Sequence, residues 1–320
     1  MKKIFSKILW GFILTTWVLA GCSPATSPTT GGELKGTISI SGAFALYPMM
    51  QKWAEEFKKL NPGVEFDISA GGAGKGMTDA LSRAVDIGMI SREISKDEEA
   101  KGAFWVAVTK DAVFVVANAK NPVAQDLAAK GMDQKTFTGI YITGAIKTWG
   151  QVVGKPEVKD EIHVFTRSDS SGAADTWAKF MGKAQQDLKG IGVSGDPGVL
   201  DAVVKDPLGI GYNNLNYAFD TSTGAPVAGV IIVPIDKNAN GSADADEIIA
   251  SKQAAVDAVM SGKYPSPPAR LLYLATKGKP GPLPLAFIRW ILADGQQFLL
   301  PTGFIPLTPA QQSESQSKVR

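Results

Sequence analysis

Residues 36–90 read GTISISGAFALYPMMQKWAEEFKKLNPGVEFDISAGGAGKGMTDALSRAVDIGMI. The β-branched alternation of Thr37-Ile38-Ser39-Ile40 predicts a strand. Pro48 to Leu60 follows, with Met49, Trp53, Phe57 and Leu60 at helical spacing. Proline sits in the first turn of that helix, where a missing N–H costs nothing. Asn61-Pro62-Gly63 stops it. Val64 to Ile68 is the next strand, Gly76 to Ala84 a short helix, and Val85 to Ile90 a third strand. This strand–helix alternation specifies an α/β chain with a mainly parallel sheet flanked by helices.

The same reading extends outward. Trp105 to Val108 and Ala112 to Ala117 read as two further strands, and the polar Asn118 to Pro122 as a crossing between domains. A second α/β unit takes in Phe137 to Ile140, the turn Thr143-Gly144, Ile162 to Phe165 and a helix from Gly172 to Met181. Gly209-Ile210-Gly211-Tyr212 reads as the crossing back. Ile231 to Ile235 is a strand, and Pro282 to Leu292 an apolar helix for the first sheet. The expected organisation is two lobes joined by two hinge crossings. Lobe I comprises residues 37–117 and 213–310, and lobe II residues 118–212. Residues 311–320 form a disordered tail.

The N-terminus reads as a processing signal over residues 1–21. Met1 to Lys7 is basic, and Ile8 to Ala20 is an apolar run of thirteen, too short to span a bilayer. It ends in Leu19-Ala20-Gly21-Cys22, which resembles a bacterial lipobox, so Cys22 is the expected lipidated residue. Acyl chains then anchor the protein, and residues 22–36, rich in Pro, Thr, Ser and Gly, form a flexible tether.

The 320 residues carry 33 Lys and Arg against 31 Asp and Glu. Without residues 1–21, which hold three Lys and no acid, the balance is 30 to 31. Such a chain is not built to coat nucleic acid. One Cys and one His exclude internal disulfides and Cys/His zinc sites. A Ser-His-Asp triad would have to use His163, which lies in a predicted strand and reads as structural.

Three loops stand before helix starts: Gly42 to Tyr47, Gly71 to Gly76, and Arg167 to Ala173. Helix N-termini present unpaired N–H groups and about half a positive charge, which favours anions. Glycine lets the backbone approach an oxyanion closely. Arg92 and Arg167 add forks suited to tetrahedral oxyanions or carboxylates. The candidate anion-binding residues are Ala45, Leu46, Tyr47, Gly72, Ala73, Ser91, Arg92, Arg167, Ser170, Ser171, Gly172 and Ala173. The alternative is that these glycines only make tight turns and the arginines are solvated. The phosphate loop Gly-x-x-x-x-Gly-Lys-Ser/Thr is absent, because Ser69 stands six before Lys75 and Gly76 follows it. No Gly-x-Ser-x-Gly elbow occurs, and Ser170 and Ser171 have no convincing base, so catalysis is not expected.

Several segments in order resemble one family. They are Tyr47-Pro48 opening a helix, the loop Ser69 to Gly76, Val85-Asp86-Ile87-Gly88-Met89-Ile90-Ser91-Arg92, Arg167-Ser168-Asp169-Ser170-Ser171-Gly172-Ala173, Gly209 to Tyr212, Leu271 to Pro280, and Gly303 to Leu307. Together, from Gly36 to about Leu307, they resemble the solute-binding proteins of phosphate ABC importers, PstS-like members of the periplasmic-binding-protein type II family. The resemblance implies a two-lobed extracytoplasmic monomer, without an obligatory cofactor, that captures phosphate in an interlobe cleft. It also implies an ABC permease in the membrane as partner. Three hydroxyls usual in the family are missing: this chain has Ala43 to Leu46 in the first loop, Ala73 in the second and Ala173 in the third. Ser91 stands where some members place an acid. Another oxyanion, or a sensor on the same fold, stays open.

Asp236 to Glu247 (DKNANGSADADE) matches the twelve-residue calcium-loop pattern. Asp236, Asn238 and Asn240 occupy positions 1, 3 and 5, with Gly241 at 6. Ser242 and Asp244 follow at 7 and 9, and Glu247 closes the loop at 12. A strand precedes it, so a paired EF-hand is excluded. A polar turn before an acidic helix start accounts for the same residues without a metal.

Overall fold

The computed structural model describes residues 33–320, so residues 1–32, including the expected signal, Cys22 and most of the tether, lie outside it. The described chain is one compact unit. Its nine strands form one mixed sheet. They are β1 (Gly36–Gly42), β2 (Val64–Ala70), β3 (Ile87–Ile90), β4 (Ala103–Asn118), β5 (His163–Arg167), β6 (Ile191–Val193), β7 (Gly209–Asn214), β8 (Val230–Ile232) and β9 (Ala269–Lys277). The order is β2-β1-β3-β9-β4-β7-β5-β6, with β8 also on β4. The outer strands of each half run parallel, β1 with β2 and β3, and β5 with β6 and β7. Antiparallel β9 and β4 lie between them.

The opening segment folds as its pattern dictates. In the helix Tyr47–Leu60, Met49, Met50, Trp53, Ala54 and Phe57 are buried on one stripe. Lys52, Glu55, Glu56 and Lys59 pair with one another on the outer side. The second helix begins earlier than its apolar pattern suggests, at Ala73 and not Gly76. Gly74 and Gly76 are inside its first turn, and close approach of β1 and β3 requires the second: a Cβ on Gly76 would lie 2.7 Å from Met89 O.

The expected crossings are corrected. Trp105–Val108 and Ala112–Ala117 belong to a single strand, β4, sixteen residues long with an irregularity between Ala107 and Thr109. The polar Thr109-Lys110-Asp111 interruption does not end it, because Lys110 bridges to Ile305 and Asp111 meets Arg270. β4 itself passes from one half to the other, pairing with β9 up to Ala112 and with β7 from Val113. Asn118 does not mark the crossing; its side chain caps the carbonyls of Val203 and Val204 within the second half. Gly209–Tyr212 is likewise buried in-sheet strand, not a hinge.

Two hydrophobic cores flank this junction. The first gathers residues of β1 to β3, the N-terminal part of β4, β9 and the helix Pro282–Ile291. The second runs from Ala112 to Ala269, taking in Val230, Val233, Ile235, Val256 and Tyr264, and adds Ile305 from the C-terminal segment. Residues 213–269 thus pack with the second core, against the expected boundary at 212/213. The return passes through Pro265–Ala269 into β9, where the Tyr264 hydroxyl donates to Val113 O at 2.7 Å. The expected disordered tail is a docked helix, Pro309–Lys318, capped by Thr308 and Gln311. Gln312 and Gln316 donate to Leu292 O, and the Lys318 amine stands 3.5 Å from the Trp105 ring centroid. No described helix is long and apolar enough to cross a membrane.

Candidate anion site at facing helix starts

β1 ends at Gly42, where φ is 134° and a Cβ would lie 2.3 Å from Met89 O. The N–H of Ala43 donates to Met89 O at 2.8 Å, and the chain then makes a single 3₁₀ turn, Phe44–Leu46, leading into the helix Tyr47–Leu60. The amides of Leu46 and Tyr47 serve that turn, donating to Ala43 O and Phe44 O. Ala45, in the middle of the turn, is a position whose N–H has no acceptor within the turn. Gly71 and Gly72 both donate to Gly42 O, at 2.9 and 3.1 Å. Gly72 is therefore not a free donor. Its φ of 92° turns the chain into the helix Ala73–Ser82, which has no side-chain cap. That leaves the Ala73 amide at a bare helix start.

The facing start is capped. The Ser171 hydroxyl accepts from the amides of Ala173 (3.1 Å) and Ala174 (3.3 Å) at the head of the helix Gly172–Phe180. Ser171 N–H donates to Gln185 Oε1 at 2.9 Å, and Gln185 Nε2 donates to Asp169 O at 2.6 Å. Ser171 and Ala173 are thus occupied, and Gly172 provides the first amide of this helix.

The two starts touch. Gly74 N–H donates to Ser170 O at 3.0 Å. A Cβ on Gly74 would lie 2.0 Å from Ser170 Oγ, and one on Gly72 2.6 Å from Asp169 Oδ2. A Cβ on Gly172 would lie 2.1 Å from Ser91 Oγ and 2.4 Å from Ser91 O. The turn Phe44–Leu46 joins from the side: Tyr217 hydroxyl reaches Phe44 O at 3.4 Å, and the Arg167 guanidinium lies over the Phe44 ring at 5.1 Å. The structure therefore brings the Gly72–Gly74 start against Asp169 and Ser170, and Gly172 against Ser91, with the turn that carries Ala45 meeting Tyr217 and Arg167 through Phe44.

The two arginines are placed differently from expectation. Arg92 forks onto Glu98 (Nη1–Oε2 2.9 Å, Nη2–Oε1 2.6 Å), whose carboxylate also completes the Ser95 capping box. This pairing keeps the Arg92 pKa above its ordinary value and that of Glu98 below its own. Arg167 is held by two carboxylates: Nε and Nη2 on Asp169 (2.7 and 2.6 Å), Nη1 on Asp196 (2.7 Å). Burial acts to lower the Arg167 pKa, but Asp196 and Asp169 outweigh it and hold it above the ordinary value. Neither arginine is a free cation waiting for an anion. Asp196 was not foreseen; it is fully buried and also accepts from Asn214 N–H.

Arg270 is the second residue missed, although a lone Arg inside the apolar strand Ala269–Lys277 was a signal. Its guanidinium donates to Gly172 O (2.6 Å), Thr176 Oγ1 (2.9 Å), Asn214 Oδ1 and Asp111 Oδ2 (3.2 Å). Burial pushes the Asp111 carboxyl up to about 6, against the opposing pull of Arg270. Beside them, Arg92, Asp175, Thr176, Lys179, Arg270 and Tyr273 line part of a cleft of about 490 Å³. Lys179 spans from the second half to Glu93 of the first at 3.0 Å. His163 lies apart, with Nδ1 2.7 Å from Asp206, and joins no catalytic cluster.

The loop 236–247 is elsewhere, at the end of the segment following β8. Among the described residues no group of three or more His, Cys, Asp or Glu stands together as a metal cluster. The carboxylates of Asp236 and Glu247 are buried, and Asn238, Asn240 and Asp244 lie on the more exposed arc between them.

Two sheet halves joined by β4 and β9, with helix starts meeting at the junction, define a two-half α/β ligand-binding protein. Residues 25–295 match the model of the PBP superfamily domain, and the chain belongs to that superfamily. It is 28% identical over 321 residues to the phosphate-binding protein PstS of Bacillus subtilis (strain 168), covering 96% of each chain. It is 28% identical over 306 residues to PstS of Pseudomonas aeruginosa, covering 89% of this chain and 87% of that one. A solved putative phosphate ABC transporter substrate-binding protein with bound phosphate, from Clostridium perfringens, superposes with a TM-score of 0.69. It has 24% identity, over 85% of this chain and all of that one. An ABC-type phosphate transport receptor from Vibrio cholerae gives 0.60 at 20% identity, over 84% of this chain and all of that one. The resemblance and the fold read from the motifs are both borne out.

Proposed function

We propose that this protein captures inorganic phosphate between its two halves and delivers it to an ABC import permease. The observation that carries the reading is the meeting of the bare start at Ala73 with the Gly172 start, at glycines too crowded for any side chain. Helix starts favour anions through their unpaired N–H groups and aligned dipoles. The donors assigned are the amides of Ala45, Ala73 and Gly172 and the hydroxyls of Ser91 and Ser170. Arg167 contributes the two N–H groups its carboxylates leave over. The relatives' names supply phosphate as the ligand class and ABC transport as the destination.

Release requires the halves to part, breaking the Gly74–Ser170 bond and the Lys179–Glu93 pair. Among the described residues the chain passes between them in β4 and in the Pro265–Ala269 return, so motion about these segments is the expected opening. The reading includes a binding role without catalysis, an extracytoplasmic monomer, and membrane anchoring through Cys22.

The test is calorimetric titration of the protein, stripped of bound ligand by unfolding and refolding, with phosphate and then sulfate. Phosphate binding with a dissociation constant of about 1 μM or tighter and no sulfate response is the expected result. No phosphate response, with the chain folded, overturns the reading.

A further inference from the structure

We infer that the loop from Asp236 to Glu247 is a calcium site that braces the second half, independent of anion capture. Two observations carry this. The first is the spacing itself: oxygen-bearing side chains at positions 1, 3, 5, 9 and 12 and Gly241 at 6, with φ of 80°. The second is a pair of buried carboxyl groups without a cationic side-chain partner. Asp236 and Glu247 are each 4% exposed, and neither pairs with a cationic side chain among the described residues. Their contacts are backbone amides alone: Asn240 and Gly241 to Asp236 (3.2 and 2.8 Å), Lys237 and Asp244 to Glu247 (2.8 and 3.0 Å). The one lysine in the loop, Lys237, turns its amine outward to Asp246 (2.9 Å) and Lys263 O (3.1 Å). Backbone amides satisfy one lone pair of each carboxylate oxygen, and a bound cation would supply the countercharge that no side chain provides.

The ends of the loop are rigid and its middle is open. Ile235 and Ile249 bury in the second core just outside Asp236 and Glu247, and Asp236 N–H donates to Met132 O at 3.0 Å. Ala243 N–H ties the arc to Ala129 O at 2.9 Å. Asn238 Oδ1 and Asn240 Oδ1 each accept one backbone N–H, from Asn240 and Ser242, and keep a second lone pair for an ion. Asp244 is held by the Asn238 and Asn240 amides, at 2.7 and 3.3 Å, on the same arc. An all-oxygen set with adaptable geometry suits calcium; magnesium demands a near-ideal octahedron and zinc prefers nitrogen and sulfur.

The experiment is calorimetric titration of chelator-treated full chain with calcium chloride in phosphate-free buffer, alongside the thermal unfolding midpoint. One ion should bind with a dissociation constant on the order of 10⁻⁴ M, and about 10 mM calcium should raise the midpoint. Glu247→Gln should weaken calcium at least tenfold. Asp244→Asn, at a half-exposed position, should do the same in a chain that folds normally. Phosphate affinity should stay within twofold in both variants. No heat and no midpoint shift at about 10 mM calcium, or unchanged calcium affinity in Asp244→Asn and Glu247→Gln, overturns the assignment.

Discussion

The helix starts at Ala73 and Gly172 face each other, yet they are built by opposite means. The Ala73 start has no side-chain cap, no acid in its first turn and a glycine at the turn into it. The Gly172 start is capped by Ser171 and backed by Gln185, Asp169, Asp196, Arg167 and Arg270. One side is bare backbone, the other a hydrogen-bonded lattice of charge. The lattice keeps Arg167 rigid, while its two carboxylates against one guanidinium make that corner net negative. An anion captured there therefore depends on amides and helix dipoles more than on ion pairing.

The largest expected effect separates the two arginines across this contrast. Arg167→Ala leaves Asp196 buried with no countercharge, and removing one member of a buried pair costs about 3–5 kcal/mol. Arg92→Ala breaks a partly exposed pair with Glu98, and such pairs contribute about 1 kcal/mol or less. Urea unfolding of both variants checks this. Phosphate affinity should change by less than about threefold in Arg92→Ala, since less than half of 1.4 kcal/mol is at stake. Equal destabilisation by the two substitutions would mean that Arg167 is not the keystone of its side.

A smaller effect concerns the contact itself. Gly172→Ala puts a methyl group 2.4 Å from Ser91 O, a backbone atom that cannot rotate away. The halves then cannot meet in the described arrangement, and phosphate affinity should fall at least about a hundredfold, near 2.7 kcal/mol. The unfolding midpoint should move little, because each core remains intact. Undiminished affinity in a folded Gly172→Ala protein would show that the anion is held elsewhere.

This contrast explains which features were legible in the sequence. Strand and helix periodicity in residues 36–90 is local, so the first half was readable to within a few residues. The glycines at the helix starts were visible as a pattern, but apart from the φ of 92° at Gly72 what requires them is tertiary: Gly74 faces Ser170 and Gly172 faces Ser91. The partners of Arg92 and Arg167 were not. Glu98 lies six residues from Arg92 and Asp196 twenty-nine from Arg167, and only folding decides which carboxylate each fork meets. The crossing through β4 was hidden for a related reason. Thr109-Lys110-Asp111 breaks the apolar pattern, but the polar groups are satisfied by Ile305 and Arg270, distant in sequence. The docked C-terminal helix has little apolar content of its own and is held by glutamines on Leu292 O.

The last prediction tests the support behind Gly172, for which the Ala73 start has no counterpart. Arg270 links Gly172 O and Thr176 to Asp111, which is 2% exposed. Burial raises the Asp111 carboxyl from 3.8 in the unfolded chain to about 6 in the folded one. Between those values the folded chain holds a proton that the unfolded chain has released, so stability falls as pH rises through the window. From about pH 4.5 to 7 the loss assigned to this one group is about 2 kcal/mol, at 1.36 kcal/mol per pH unit. Other carboxylates act in the opposite sense: Glu98 and Asp79, both held below their ordinary values, lose stability as pH falls. The measured quantity is therefore the difference in unfolding free energy between the native sequence and Asp111→Asn, in which those contributions cancel. It should decline by about 2 kcal/mol over that range. A difference that stays constant would place the Asp111 charge in a well-compensated site. The Gly172 start would then be supported by ion pairing with Arg270 at every pH, and not by a carboxyl kept half-neutral by burial.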